Sequence, residues 1–304
     1  MQKRFLVLSL SLIFSLNNCF SQSFKEKFDY LIEVNDTIGQ QQILDNWEKF
    51  DINDPELYVA YFNYYVNKSH QETITLGQDP QGEVVYQIMD QDSSQKEPVG
   101  YLYGGSSYDL KILSKGFDWI SKGIEKHPNR LDMRFGKVYA YGQIEDYDNF
   151  TKEILSAIDY SSKNKNNWTW SENKPVEDSK KVFLGSIQDY QIQLYQTGKD
   201  SLLNNMIQIA ERILKYYPDH VESLTNLSII SIFNEHYDQA IDNLLKAYKL
   251  NPKDYIVHYN LANAYKLKGD NKNSIKYYKL VIKYGDQESI DYAKEQIQFL
   301  EEKK

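Results

Sequence analysis

Two prolines that stand 34 residues apart, Pro218 and Pro252, end two stretches of similar sequence. Sliding one stretch onto the next brings residues of similar character together: Leu227 with Leu261, Ser228 with Ala262, Ala240 with Ser274 and Leu244 with Tyr278. Small residues on one face let two helices approach closely, and a proline after the last turn ends a helix. A repeat of this length therefore restricts the chain to a stack of helical hairpins.

The repeated positions resemble the tetratricopeptide repeat family over Val221 to Tyr284. The first copy carries Leu224, Leu227, Ser228, Ser231, Ala240, Leu244, Ala247 and Pro252, and the second carries His258, Leu261, Ala262, Tyr265, Ser274 and Tyr278. Leu224 and His258 stand where the family usually has Trp, and Asp286 stands in place of the closing Pro. The resemblance implies an all-α solenoid, a right-handed superhelix of helical hairpins.

Weaker copies of the pattern lie upstream. In "GFDWISKGIEKHPN", the residues Gly116, Ile120, Gly123 and Pro128 take the places of Ala240, Leu244, Ala247 and Pro252. Ala157 is the small residue of another copy, Gly198 marks a turn, and Asp54 is placed to cap the helix that follows it. We expect about six hairpins, followed by an amphipathic capping helix with Ile290, Ala293, Ile297 and Leu300 on one face.

Two segments interrupt the helical pattern. Short runs with partial period-two alternation between Thr73 and Tyr103 predict a three-stranded β-meander inserted between the two helices of one repeat. The polar stretch Ser161 to Asp178 is too long for a repeat turn. The predicted organisation is a signal peptide (1–21), divergent hairpins (22–68), the β insertion (69–107), divergent repeats (108–217) with a loop (161–177), two clear repeats (218–286) and a capping helix (287–304).

The N-terminus has the features of an export signal. Lys3 and Arg4 precede an apolar run from Phe5 to Leu16, which is too short to span a bilayer, and Ser21 precedes the expected cleavage site. We predict an exported protein, periplasmic, envelope-associated or secreted, with no membrane span. The only cysteine, Cys19, is then removed with the signal; the alternative is a lipid anchor on Cys19 as the new N-terminus.

Composition and motifs argue against several functions. With 35 basic and 43 acidic residues, the formal charge is −8, which disfavours nucleic acid and anionic lipid as partners. The five histidines have no metal-ligand spacing. The stretch that begins at Asp90 resembles a calcium loop but lacks its glycine and its closing glutamate. No catalytic motif is present, so we predict no enzyme activity, no metal and no cofactor, and keep a hydrolase with a dispersed site as a lesser alternative.

The leading hypothesis is a non-catalytic scaffold that binds a segment of a partner protein or peptide in its concave groove. In the resembled family, the wall of that groove is formed by the first helix of each repeat. Transferred to this chain by position, the partner-binding residues are Phe135, Tyr139, Thr225, Asn226, Ile229, Phe233, Tyr259, Asn260, Asn263 and Lys266. For the apolar ones, packing against a neighbouring repeat is the competing interpretation.

The second hypothesis is a glycan-binding accessory protein. Trp168 and Trp170 lie two residues apart in the long polar loop, and together with exposed tyrosines they would offer aromatic faces for sugar rings. The competing interpretation is that the Trp-x-Trp sequence fastens this loop to the helical scaffold.

Overall fold

The computed structural model describes residues 23–78, 85–89 and 98–302, so the predicted signal peptide, Cys19 and the Asp90 loop lie outside the described residues. The described chain holds thirteen α-helices, two short 3-10 turns and three strands. The α-helices are α1 (23–33), α2 (Thr37–Phe50), α3 (Pro55–Ser69), α4 (Leu110–Lys126), α5 (Leu131–Gln143), α6 (Tyr147–Lys163), α7 (Ser179–Gln196), α8 (Leu203–Tyr216), α9 (Val221–Phe233), α10 (Tyr237–Leu250), α11 (Tyr255–Lys268), α12 (Asn271–Tyr284) and α13 (Gln287–Glu302).

The helices divide between two compact units. The first unit runs to Asp146 and includes Trp168–Pro175; the second comprises Tyr147–Asn167 and the chain from Val176 onward. In the second unit, α9 packs on α10, α11 on α12, and α12 on α13, with a shared core of apolar side chains. The predicted class, an all-α repeat fold with a small β insertion, is confirmed.

Small residues mark the helix contacts, as the repeat pattern predicts. Ala240, Leu244 and Ala247 are completely buried on α10. On α4, Gly116 and Gly123 face α3 so closely that a Cβ atom on Gly123 would lie 2.7 Å from Cβ of Tyr58. Glycine at this position is therefore required by the close approach of α3 and α4, and not by an unusual backbone conformation.

The second unit buries a histidine where the resembled repeats carry Trp. His258 of α11 is completely buried, with the rings of Tyr248 and Tyr284 at centroid distances of 5.5 Å and 5.7 Å. Burial lowers the pKa of His258 from its ordinary value, although the Asp254 carboxylate and the backbone carbonyls of Pro252 and Leu280 favour the protonated form. The ring is therefore held neutral in the core of the repeat.

Acidification is expected to weaken this core. Because the pKa of His258 is lower in the folded than in the unfolded state, its contribution to stability is complete above about pH 6.5 and is lost as the pH falls below that value. The free energy of unfolding should fall by at most about 1.4 kcal/mol per pH unit in this range. Urea unfolding at several pH values, followed by circular dichroism, measures this decrease in the free energy of unfolding. The variant His258→Phe should show a smaller decrease than the wild type. An equal loss in both proteins would contradict it.

The β insertion follows α3 directly and precedes α4. Its strands are β1 (His70–Gly77), β2 (Val85–Ile88) and β3 (Gly100–Tyr108), in the order β1-β3-β2 with both pairings antiparallel. The predicted meander order is therefore wrong. Because α3 packs along α4, the strand that leaves α3 and the strand that enters α4 lie side by side and pair, which places β2 on the outer edge of β3.

The loop that follows α6 is fastened to the first unit by a buried arginine. Arg130, 1% exposed, donates to Glu56 at 2.7 Å and makes a two-fold contact with Asp132, at 2.8 Å and 2.6 Å. Glu56 also accepts a hydrogen bond of 2.7 Å from the backbone N–H of Glu172 in the loop.

The α6 helix continues to Lys163, so the first three residues of the predicted loop are helical.

Within the described ranges, we find no helix that combines the length and the apolar character that a membrane span requires.

Candidate functional site

The structure separates the ten predicted wall residues into three groups. Phe233 and Tyr139 are exposed, at 56% and 59% of their surface. Partly buried side chains are those of Ile229, Tyr259, Asn260, Asn263 and Lys266. Buried side chains are those of Phe135, Thr225 and Asn226. The positions that the family pattern transfers to this chain therefore do not form one accessible surface.

Three of the predicted contacts are corrected by burial. Phe135 is 7% exposed, which leaves almost none of its ring for a partner. The hydroxyl of Thr225 donates to the carbonyl of Val221 at 3.0 Å within its own helix. Asn226 forms a reciprocal amide pair with Gln188 of α7, at 2.9 Å and 3.4 Å. Asn226 therefore joins α9 to α7, and its amide group is already paired with Gln188.

Two of the four predicted wall residues on α11 contact the capping helix. The ring of Tyr259 lies 5.4 Å from that of Tyr292 on α13, and burial together with a hydrogen bond to Tyr292 raises the pKa of Tyr259 to about 12. Lys266 donates to Gln296 of α13 at 3.1 Å, and Asn260 donates to the carbonyl of Ile256 in its own turn. Helix α13 thus contacts residues that, by the family pattern, would contact a partner.

An open groove lies instead between α7 and α9. Three exposed apolar side chains line it: Ile192 and Tyr195 of α7, 43% and 50% exposed, and Phe233 of α9. The rings of Tyr195 and Phe233 lie 6.4 Å apart at an angle of 52°. Aromatic pairs that remain this exposed are typical anchors for a binding partner.

Two cavities open along this groove. The smaller, about 140 Å³, is lined by Gln188, Gln191, Ile192, Tyr195, Met206, Asn226 and Ile229. The larger, about 420 Å³, lies at the end of α7 and is lined by Leu194, Tyr195, Gln196, Gly198, Lys199, Asp200, Leu203, Met206 and Phe233. Tyr195 and Met206 border both cavities, so the two form one continuous surface, which we call the α7–α9 groove.

A buried amide lies at the smaller cavity. Gln191 is 1% exposed, and neither its Oε1 nor its Nε2 has a hydrogen-bond partner among the described residues. An unsatisfied buried amide costs about 1–3 kcal/mol. Native proteins rarely keep such a group without a role, which makes Gln191 a candidate ligand contact.

Sequence reasoning missed the contribution of α7. Gln188, Gln191, Ile192 and Tyr195 follow the i, i+3, i+4, i+7 spacing of one helical face, so the signal was present. It was not recognised because the repeat pattern is weak before Pro218 and gives no alignment for this helix. Of the predicted residues, only Ile229 and Phe233 belong to the accessible part of the groove, with Asn226 at its base.

The predicted tryptophan pair is not a pair of free aromatic faces. Trp168 is 1% exposed, and the guanidinium of Arg134 lies 5.9 Å from its ring centre. Trp170 keeps 43% of its surface exposed, and its backbone N–H donates to the carbonyl of Lys174. The strand-like contacts of Thr169 with Arg130 and Pro175 fix this stretch in the first unit. Trp168 therefore fastens the loop and leaves no face for a sugar ring.

The described residues contain no group of three or more His, Cys, Asp or Glu side chains arranged to hold a metal ion.

A model of the tetratricopeptide repeat matches residues 221–254 and 255–284. No curated protein matches the chain in sequence. Among solved structures, a tetratricopeptide repeat protein from Parabacteroides merdae has 11% identity over 93% of this chain and 91% of its own, with a TM-score of 0.37.

Two further solved structures match a shorter part. YrrB, described as a protein of this repeat class with an unusual peptide-binding site, has 14% identity over 61% of this chain and 85% of its own, with a TM-score of 0.37. Pseudomonas aeruginosa pilF has 14% identity over 62% of this chain and 80% of its own, with the same TM-score.

Proposed function

Because a model of the tetratricopeptide repeat matches residues 221–284, we propose that this chain is a non-catalytic scaffold that binds a segment of a partner protein in the α7–α9 groove. The observation that carries the proposal is the exposed apolar surface formed by Ile192, Tyr195 and Phe233 on two neighbouring helices. These side chains border the two cavities described above, so the surface is concave.

The geometry of the groove suits a protein segment. Aromatic anchors at the centre of an interface supply most of the binding energy, and cavities beside them receive side chains from the partner. The reciprocal amide pair between Gln188 and Asn226 holds α7 and α9 at a fixed separation, so the groove is formed before a partner arrives. Preformed sites bind more tightly because less conformational freedom is lost on association.

We also propose that the scaffold works outside the cytoplasm. The basic start, the apolar run and the small residues before Gln22 support export. Mass spectrometry of the full chain, expressed in a bacterium with a cell envelope, tests this. A product that begins at Gln22 supports secretion, an acylated product that begins at Cys19 supports a lipid anchor, and an uncut product that stays in the cytoplasm would contradict export.

Charged groups in the groove should abolish binding of the partner. We expect Tyr195→Asp/Phe233→Asp to lose a protein that the wild type captures from an envelope extract, because two desolvated carboxylates would oppose apolar contacts. Quantitative mass spectrometry of captured proteins measures the loss, which should be at least about 100-fold for a two-anchor interface.

The matched control is Ile38→Asp. Ile38 lies on α2 in the first unit and is 72% exposed, so the same apolar-to-acidic change is made away from the groove. The control should retain the partner. Equal capture by the wild type and the groove variant would overturn the assignment of the α7–α9 groove as the binding site.

A further inference from the structure

We infer that the smaller cavity of the α7–α9 groove is a side-chain pocket for an extended peptide. In this inference, which rests on the proposed function, the pocket takes one phenylalanine- or leucine-sized side chain, and the carboxamide of Gln191 pairs with the backbone amide of the same segment. The partner class is thus a protein segment with a large apolar residue in extended conformation.

The size of the cavity sets the size of the side chain. Its volume is about 140 Å³, and its apolar walls come from Ile192, Tyr195, Met206 and Ile229. An apolar protein cavity of about 150 Å³ holds a benzene ring. A phenylalanine ring or a leucine side chain therefore fills this space, whereas an alanine methyl group would leave most of it empty.

The chemistry of the lining selects an uncharged ligand. No charged side chain borders the smaller cavity among the described residues; the polar side chains of its lining are three carboxamides, those of Gln188, Gln191 and Asn226, together with the uncharged phenol of Tyr195. A charged ligand group would lose its hydration without gaining an opposite charge, which is unfavourable. A peptide amide carries one donor and one acceptor, and a carboxamide offers the complementary acceptor and donor.

Gln191 is the carboxamide that is available for this pairing. Gln188 and Asn226 already bond to each other, while both polar atoms of Gln191 lack a partner within the part of the chain that the structure describes. These atoms are covered in the free protein, so the pairing requires a rotation about the side-chain torsions of Gln191. Such changes of rotamer are common when partners bind. Binding then satisfies an amide that the free protein leaves unsatisfied.

The test uses a one-residue peptide mimic, N-acetyl-phenylalanine N-methylamide, which carries the ring and both flanking amides. The full chain is labelled with 13C in its methionine methyl groups, and NMR follows Met206, whose signal is assigned with Met206→Leu. We expect a saturable shift of the Met206 methyl signal. N-acetyl-alanine N-methylamide has the same amides without the ring, and it should bind at least about tenfold more weakly.

The variant Gln191→Leu distinguishes the contribution of the amide contact to binding from that of the apolar walls of the pocket. The variant should bind the phenylalanine mimic about tenfold more weakly, because the amide pairing is lost, yet bind toluene as the wild type does. It should also unfold at a higher denaturant concentration, since an unsatisfied buried amide has been removed. If the mimic does not shift Met206, or if Gln191→Leu leaves its affinity unchanged, the inference is wrong.

The two proposals can fail separately. A protein partner that is lost in Tyr195→Asp/Phe233→Asp but bound equally by Gln191→Leu would leave the scaffold function standing and would overturn the pocket. Retention of the partner by the aspartate variant would remove the proposed function, whatever the mimic does.

Discussion

Replacing Arg130 with methionine is expected to lower the free energy of unfolding of the first unit by about 3–5 kcal/mol. The side chain is almost completely buried and contacts the carboxylates of Glu56 and Asp132 at once. Methionine fills a similar volume but leaves both carboxylates without their opposite charge. The cost comes from these uncompensated charges, one of which, that of Glu56, lies on a side chain only 8% exposed.

Tryptophan fluorescence measures this effect in the first unit alone. All four tryptophans, Trp47, Trp119, Trp168 and Trp170, belong to that unit, so their emission during urea unfolding does not report on the second. Circular dichroism follows the helices of both units. We expect the fluorescence transition to move to lower urea while the transition of the second unit is much less affected.

A triple variant serves as the control for the charge argument. Arg130→Met/Glu56→Gln/Asp132→Asn removes all three charges, and the side-chain carbonyl that remains at position 56 is still able to accept from the N–H of Glu172. This variant should recover most of the lost stability, because well-packed neutral replacements of a buried ion cluster are close to neutral. If the triple variant is as unstable as Arg130→Met alone, the loss comes from packing and not from orphaned charge.

Gly123→Ala is expected to destabilise the first unit by about 1–3 kcal/mol, in spite of the higher helix propensity of alanine. The added Cβ would lie 2.7 Å from Cβ of Tyr58 and 3.0 Å from Sδ of Met133. The Cβ atom of Tyr58 is bonded to its backbone and cannot swing away, so α3 and α4 must separate. The same fluorescence-detected unfolding measures the loss.

The matched control, Gly185→Ala, is expected to change stability in the opposite direction. Gly185 lies inside α7, and apart from its chain neighbours and the backbone of its own helix, no atom of the described residues comes within 4 Å of the position a Cβ would occupy. Gly185→Ala should therefore stabilise the second unit by about 1 kcal/mol through helix propensity alone. Destabilisation by both substitutions would show that close helix contact is not the reason for glycine at position 123.

The helical architecture was predictable because its signals are local. The burial of Ala240, Ala247 and Gly123 follows from a spacing that is visible within each repeat, and Asp54 does cap α3 by accepting from the N–H of Glu56 at 3.0 Å. The existence of the strands was equally visible. Their order was not, because it depends on α3 packing against α4, a contact between residues far apart in sequence.

The candidate site was less predictable for the same reason. Whether a residue on the first helix of a repeat is accessible depends on its neighbour: Gln188 reaches Asn226, and Tyr292 reaches Tyr259. No sequence pattern within a single repeat indicates either contact. Transfer of wall positions by alignment therefore included Phe233, which lines the groove, but it had no means of including Tyr195, which lies on a helix without a clear repeat pattern.

The β insertion leaves and re-enters the helical stack at a single point. The N–H of Asp109 donates to the carbonyl of Ser69 at 2.8 Å, and His70 pairs with Tyr108, so the ends of the segment are held as closely as the ends of a short turn. The entropy of closing a loop grows only with the logarithm of its length. The β insertion thus connects α3 to α4 in the way that a tight turn connects the two helices of a hairpin. Its length can therefore change in evolution without altering how α3 and α4 pack against each other.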